Sequence, residues 1–198
     1  SVHSPEIMAR RVIISIDGGG IRGVIALVIL KEIQKRLAFD LFELNTSWWG
    51  TSTGALIASG LQMQKHLPFS EAVQRLLDIY EFRSSAAIRP HGVSLPTRAF
   101  DRLIVSNVGD AQLEAFPKLN IVASREVDLQ PVIFNASNGC KVAEAVTASC
   151  AFPGVFPAVE INGERYVDGY FNAKNPTYLA HSDEMKDYER LTVISIGT

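Results

Sequence analysis

Twice near its N-terminus the sequence passes from a short apolar segment through a glycine turn into a helix-forming segment. Residues 12–16 are largely apolar and mostly β-branched, the mark of a buried strand, and they stop at Asp17-Gly18-Gly19-Gly20. Over residues 21–37, Val24, Leu27, Val28, Leu30, Ile33 and Leu37 approximate one helical face, while Lys31, Glu32, Lys35 and Arg36 gather on the rest. Residues 45–49 then predict a second short strand, 50–54 a turn, and 53–61 a tightly packed helix of small residues. Successive strand–turn–helix units need crossover connections, so they restrict the chain to an α/β layering around parallel strands.

The rest of the chain fits that frame. A helix is expected from Ser70, capped by that residue and burying Val73, Leu76, Leu77 and Tyr80 at helical spacing. Residues 81–96 carry Arg, Ser, Ala and Pro with no period and read as a surface loop or a mobile flap. Strands are predicted at 119–123, 131–134 and 191–196, and a short helix at 142–149, ended by Pro153 and Gly154. Residues 158–161 and 164–167 flank Asn162-Gly163, a hairpin turn, with Asp168 just past the second strand. The predicted fold class is α/β, a three-layer α/β/α sandwich with a largely parallel central sheet. Residues 12–198 are read as one domain. Residues 1–11 are read as an N-terminal extension, in part not native because Ser1 stands where an initiator methionine is expected.

Bulk composition removes several functions. A net charge of -2 and a pI near 6.1 supply no basic field for phosphates, so nucleic acid is not an expected partner. The longest apolar run, residues 24–30, is far short of the roughly 20 residues that span a bilayer. Residues 1–11 lack the apolar centre of a signal peptide. Cys140 and Cys150 have neither C-x-x-C spacing nor a histidine companion for zinc, and are expected to be free thiols. Together these predict a cytoplasmic protein whose membrane contact, if it has any, is peripheral and mostly apolar.

Chemistry concentrates in the glycine turns. Gly50-Thr51-Ser52-Thr53-Gly54 is a G-x-S-x-G between a predicted strand and a predicted helix, the context in which a sharp turn lifts a serine hydroxyl clear of a sheet. The free N–H groups at the start of the following helix face the place where an oxyanion forms. The same residues also make an ordinary helix cap. Asp17-Gly18-Gly19-Gly20-Ile21-Arg22-Gly23 fits the dinucleotide fingerprint G-x-G-x-x-G, with Asp40 at about the spacing of a ribose-binding carboxylate. Against a nucleotide, Asp17 puts a carboxylate beside the pyrophosphate, and the fingerprint leaves the second glycine turn unexplained. An oxyanion hole accounts for bare backbone amides beside a reactive serine. Arg22 either orients the loop or attracts an anionic head group. His3, His66, His91 and His181 offer no local motif for a base, and His91 and His181 sit in polar, loop-like stretches.

Taken together, the two motifs resemble the patatin-like phospholipase family, with its Asp-Gly-Gly-Gly-x-Arg-Gly loop and Gly-x-Ser-x-Gly elbow. Ala148-Ser149, Ala151, Pro153-Gly154 and Phe156-Pro157 look like that family's approach to its catalytic aspartate, here Asp168 of Asp168-Gly169. The resemblance spans nearly the whole chain. It implies a phospholipase A type lipid acyl hydrolase, calcium-independent and free of metal and organic cofactors. Ser52 is the implied nucleophile, Asp168 its base, and Gly18, Gly19, Gly20 and Arg22 the oxyanion hole. Implied partners are a membrane phospholipid or other acyl lipid and an activating ligand or protein. Transacylation by the same dyad, and a non-catalytic lipid-binding, storage or regulatory role, are the alternatives. Tyr170 departs from the family pattern, which follows the aspartate with Gly-Gly or Gly-Ala, and is expected to constrain the loop or narrow the acyl site. Relatives commonly continue past a strand like the last one here, so a catalytic core without a further segment is expected.

Overall fold

The computed structural model of the protein describes residues 10–87 and 109–198. In chain order its elements are β1 (Arg10–Ile16), α1 (Gly23–Arg36), β2 (Thr46–Thr51), α2 (Thr53–Met63), α3 (Phe69–Ala87), β3 (Leu119–Arg125), β4 (Pro131–Phe134), α4 (Val142–Ser149), β5 (Val159–Ile161), β6 (Glu164–Asp168), α5 (Tyr170–Ala173), α6 (Thr177–Glu184) and β7 (Arg190–Ile196). Strands β7, β1, β2 and β3 pair in parallel in that order, β4 and β6 pair antiparallel with β3, and β5 extends β6.

Alternation along the strands builds the layers. Ile14 and Ile16 of β1, Trp48 of β2 and Ile121 of β3 face a large core shared with α1, α2, α3 and α4. Their neighbours Ile13, Trp49 and Val122 face a smaller core with Ala173 of α5 and Ala180 of α6. Both faces of the sheet are therefore apolar, which is why residues 12–16 of β1 are apolar at every position but Ser15 rather than alternating. The result is the expected three-layer sandwich with a mostly parallel sheet. Helix α2 is buried at every position from Thr53 to Gln62, as a helix of small and apolar residues must be.

Several local expectations need correction. The ladder with β3 carries β2 through Gly50 to Thr51, opposite Val122, so the turn is confined to Ser52. Helix α3 begins at Phe69, and Ser70 is an exposed residue of its first turn rather than its cap. The cap comes from Asp40, whose Oδ2 accepts the Phe69 N–H at 2.8 Å while Oδ1 accepts that of Phe42 at 2.9 Å. Residues 81–87 are helical, carried by good helix formers such as Glu81, Arg83, Ala86 and Ala87 despite the missing period. Residues 88–96 of that expected loop lie outside the described residues, as do residues 1–9, His3 and His91. On α1 the buried side is Gly23, Ala26, Leu27 and Leu30, and Val28, one position further round, is 48% exposed. Asp168 is the last residue of β6 rather than past it, because it still pairs with Ala123. His181 lies within α6, a helix too short and polar to announce itself.

Candidate active site

Register brings the serine and the aspartate together. Along β3, Val122 stands opposite Thr51 and the next residue, Ala123, stands opposite Asp168. The residue after Thr51 and the end of β6 are thus delivered to one spot from sequence positions far apart.

Ser52 occupies a conformation that few side-chain-bearing residues adopt, with φ 55° and ψ −123°. Such strain persists only where the surroundings fix it. Here the fixing groups are visible. A Cβ on Gly50 would strike the backbone of Gly54 and Ala55, and one on Gly54 would strike the carbonyls of Ile16 and Asp17. The Ser52 N–H donates to Ser149 Oγ at 2.8 Å, and the Ser149 hydroxyl donates onward to the Val122 carbonyl at 2.6 Å. The Leu56 N–H returns to the Ser52 carbonyl at 3.1 Å, starting α2 directly behind this serine.

Asp168 is 2% exposed. Its Oδ1 accepts the Tyr170 N–H at 2.8 Å, and its own N–H donates to the Ala151 carbonyl at 3.0 Å. Burial pushes its carboxyl up to about 6, against the downward pull of the Tyr170 N–H and of a hydrogen bond with the Ser52 side chain. An aspartate in that state is ionised at neutral pH yet far more basic than an exposed one, which suits it to accept a proton from a hydroxyl. Cys150 lies beside this pair, its thiol pushed well up by burial and by the Asp168 charge. Cys140 and Cys150 are both free.

The glycine loop divides its labour. The Gly18 N–H is committed to the Lys174 carbonyl at 2.9 Å, and the Gly18 carbonyl accepts the Thr198 hydroxyl at 2.8 Å, so this residue anchors the loop beneath the site. Gly19, Gly20 and Arg22 line the cleft. Arg22 folds back on the Gly19 carbonyl, through its N–H at 3.2 Å and its Nε at 3.4 Å. Asp17 is nine-tenths buried, and burial raises its carboxyl against the attraction of Lys174. The nucleotide alternative loses its acidic residue, because both carboxylate oxygens of Asp40 are occupied by backbone N–H groups.

Around these groups opens a cleft of about 460 Å³, walled by Ile21, Leu56, Ile79, Phe152, Phe156 and Tyr170 and holding Ser52, Asp168 and Cys150. Its size and apolar lining suit a small apolar ligand or an acyl chain. Tyr170 packs edge-on against Phe152, with centroids 5.8 Å apart, and is 45% exposed at the rim. Neither described histidine, His66 or His181, lines the cleft. Among the described residues no group of three His, Cys, Asp or Glu is placed to hold a metal. The sequence names Ser52, Asp168, Gly18, Gly19, Gly20 and Arg22, and of these Gly18 has its N–H bound to the Lys174 carbonyl. The sequence assigns no role to Ser149, Cys150 or the Tyr170 N–H, whose contacts exist only once β3, α4 and α5 are assembled.

The family model for patatin-like phospholipase matches residues 14–181. The chain is 30% identical to the cUMP-AMP-activated phospholipase of Escherichia coli, over 93% of this chain and 63% of that protein. It is also 30% identical to an intracellular phospholipase A2 of Caenorhabditis elegans, over 90% of this chain and 17% of that one. To human calcium-independent phospholipase A2-gamma it is 26% identical, over 94% of this chain and 28% of that one. It therefore spans less than two thirds of the length of each of these relatives. Among solved structures, VipD from Legionella pneumophila superposes with a TM-score of 0.50 at 13% identity, over 82% of this chain and 46% of that one, a likeness of fold.

Proposed function

Because the chain belongs to the patatin-like phospholipase family, we propose that it hydrolyses ester-linked acyl chains of phospholipids or related lipids through a Ser52 acyl-enzyme. The observation that carries this reading is the meeting of a strained, half-buried serine and a buried, proton-hungry aspartate inside one apolar cleft. Ser52 Oγ attacks the ester carbonyl carbon as its proton passes to Asp168. The acyl C–O bond then breaks, and the departing alcohol takes that proton. Water attacks the acyl-enzyme, gives a proton to Asp168, and releases the fatty acid as Ser52 recovers its hydrogen.

The oxyanion formed in each half-reaction is assigned to the backbone N–H groups of Gly19 and Gly20 and to the first turn of α2. Gly18 is left as the anchor because its N–H is already spent on Lys174. Arg22 keeps the loop in shape through the Gly19 carbonyl. The reading calls for no metal or organic cofactor, so calcium chelation should be harmless. Exposed Ile21, Phe152 and Tyr170 at the rim favour peripheral contact with a lipid surface; no helix among the described residues is long and apolar enough to cross a membrane.

The test is fatty acid release from mixed phospholipid vesicles in chelator, comparing the parent chain with Ser52→Ala and Asp168→Asn. Loss of release in both folded variants is the expected result. Release that survives either substitution overturns the dyad.

A further inference from the structure

An apolar cleft has no use for a phenol unless its hydroxyl has work, and Tyr80 raises that question. Its ring lines the cleft from α3 and is 8% exposed, following the buried aliphatics Val73, Leu76 and Leu77 of the same helix. A phenylalanine would fill the same space without a buried polar atom that must be satisfied. Among the described residues the Tyr80 hydroxyl is satisfied by one partner, the hydroxyl of Thr53, the residue that follows Ser52. Thr53 is itself 5% exposed and is the first residue of α2.

Room for this bond is made by a third element. A Cβ on Gly23, the last residue of the glycine loop motif, would sit 2.5 Å from Thr53 Oγ1 and 3.0 Å from the Tyr80 hydroxyl. The start of α1, the start of α2 and the middle of α3 therefore close on one hydroxyl pair behind Ser52. Burial also pushes the phenol well above its ordinary range, with the neighbouring Cys150 acting in the same direction, so the hydroxyl keeps its proton throughout neutral pH.

We infer that Tyr80 is a positioning residue for the reaction, fixing Thr53 and with it the first-turn N–H groups of α2 that stabilise the oxyanion. This inference rests on the hydrolase reading above. Thr53 has no intrahelical acceptor for its N–H, being at the first position of the helix, so nothing within α2 holds that donor in line. The Tyr80 bond holds it from outside, through the side chain. Oxyanion donors contribute in proportion to their alignment: deleting one costs 10²–10³-fold, and small misplacements cost part of that.

The experiment measures kcat and KM on a water-soluble short-chain ester for Tyr80→Phe, Thr53→Val, Thr53→Ser and the double variant Tyr80→Phe/Thr53→Val. Active sites are counted by fluorophosphonate labelling of Ser52. Tyr80→Phe and Thr53→Val should each lower kcat per labelled site by roughly tenfold while KM moves little. Thr53→Ser should restore the turnover lost in Thr53→Val. The double variant should be no worse than either single one, because both remove the same bond. A parental kcat in Tyr80→Phe, or losses that multiply in the double variant, overturn the inference. So does a fall in melting temperature with unchanged turnover per labelled site, the signature of packing alone. A parent chain that neither turns over the ester nor takes the label overturns the hydrolase reading itself, and this inference with it.

Discussion

Replacing Asp168 by Asn should abolish turnover and stabilise the protein, and the stabilisation should depend on pH in a defined direction. In the folded chain the Asp168 carboxyl titrates at about 6, against 3.8 when unburied. The folded state thus holds this proton more tightly than the unfolded state, so folding stability falls as pH rises from 3.8 towards 6 and levels off above. Each pH unit of that displacement corresponds to about 1.36 kcal/mol, so ionised Asp168 costs the fold about 3 kcal/mol at neutral pH. Asn carries no charge, and its Oδ1 can still accept the Tyr170 N–H. Its extra N–H donors need acceptors in a buried site, which trims the gain to about 1–2 kcal/mol. For a chain of this length that is a rise of about 2–8 °C in Tm.

Thermal melts of parent and Asp168→Asn at about pH 4 and pH 8 read this directly. The variant should melt higher at the alkaline end, and the gap should close at the acid end, where the parent carboxyl is neutral too. In the same pH series the parent's kcat/KM should rise through about 6 to a plateau as the base ionises. A gap independent of pH, or one wider in acid, would show that Asp168 is not a carboxylate held against its own burial, and the argument for its basicity would go with it.

Other expectations follow from single contacts. Ser52→Gly and Ser52→Ala should both be inactive, but the glycine variant should be the more stable by about 1 kcal/mol, because φ 55° costs glycine nothing; denaturant melts compare them. Ser149→Ala removes the acceptor of the Ser52 N–H and should cost about 1–3 kcal/mol of stability, with a lower kcat measured on a soluble ester. Asp40→Ala strips the caps from Phe42 and Phe69 and should cost about 1–2 kcal/mol while fluorophosphonate labelling of Ser52 proceeds at the parental rate.

What the sequence made legible was local. The β1 run, the Asn162-Gly163 hairpin and the limits of α4 are written in residue types whose backbone preferences act over a few positions, with Asn162 at φ 53° and Gly163 at 82° as that turn requires. Ser52 and the glycine loop were legible for the same reason. The cap of α3 was misread because a serine at the right place is a local signal, whereas Asp40 reaches it across 29 residues of chain. Helix α6 and the helical stretch at 81–87 have no apolar period to read. Ser149 is the clearest gap: its hydroxyl touches Ser52 and Val122, 97 and 27 residues away, and no spacing rule connects them.

The two glycine motifs, read separately, invite two different functions, and the packing shows why they are one device. The space a side chain would need at Gly54 is filled by the Ile16 and Asp17 carbonyls at the end of β1, and a Cβ at Gly18 would meet Ser52 Cβ and the Thr51 carbonyl, both at 3.3 Å. Each motif therefore contains a glycine whose missing side chain is the room occupied by the other. Nesting the loop on the elbow sets the bare backbone of one motif against that of the other, and a backbone left open to close approach is also what a dinucleotide fingerprint supplies. The likeness of the two patterns reflects that shared demand. What distinguishes them is the partner the loop nests on, and here the partner is a serine in a backbone conformation that the nesting itself helps to enforce. Adding a methyl at Gly54 should thus damage both at once, lowering stability and fluorophosphonate labelling together, whereas Gly163→Ala in the distant hairpin should lower stability alone.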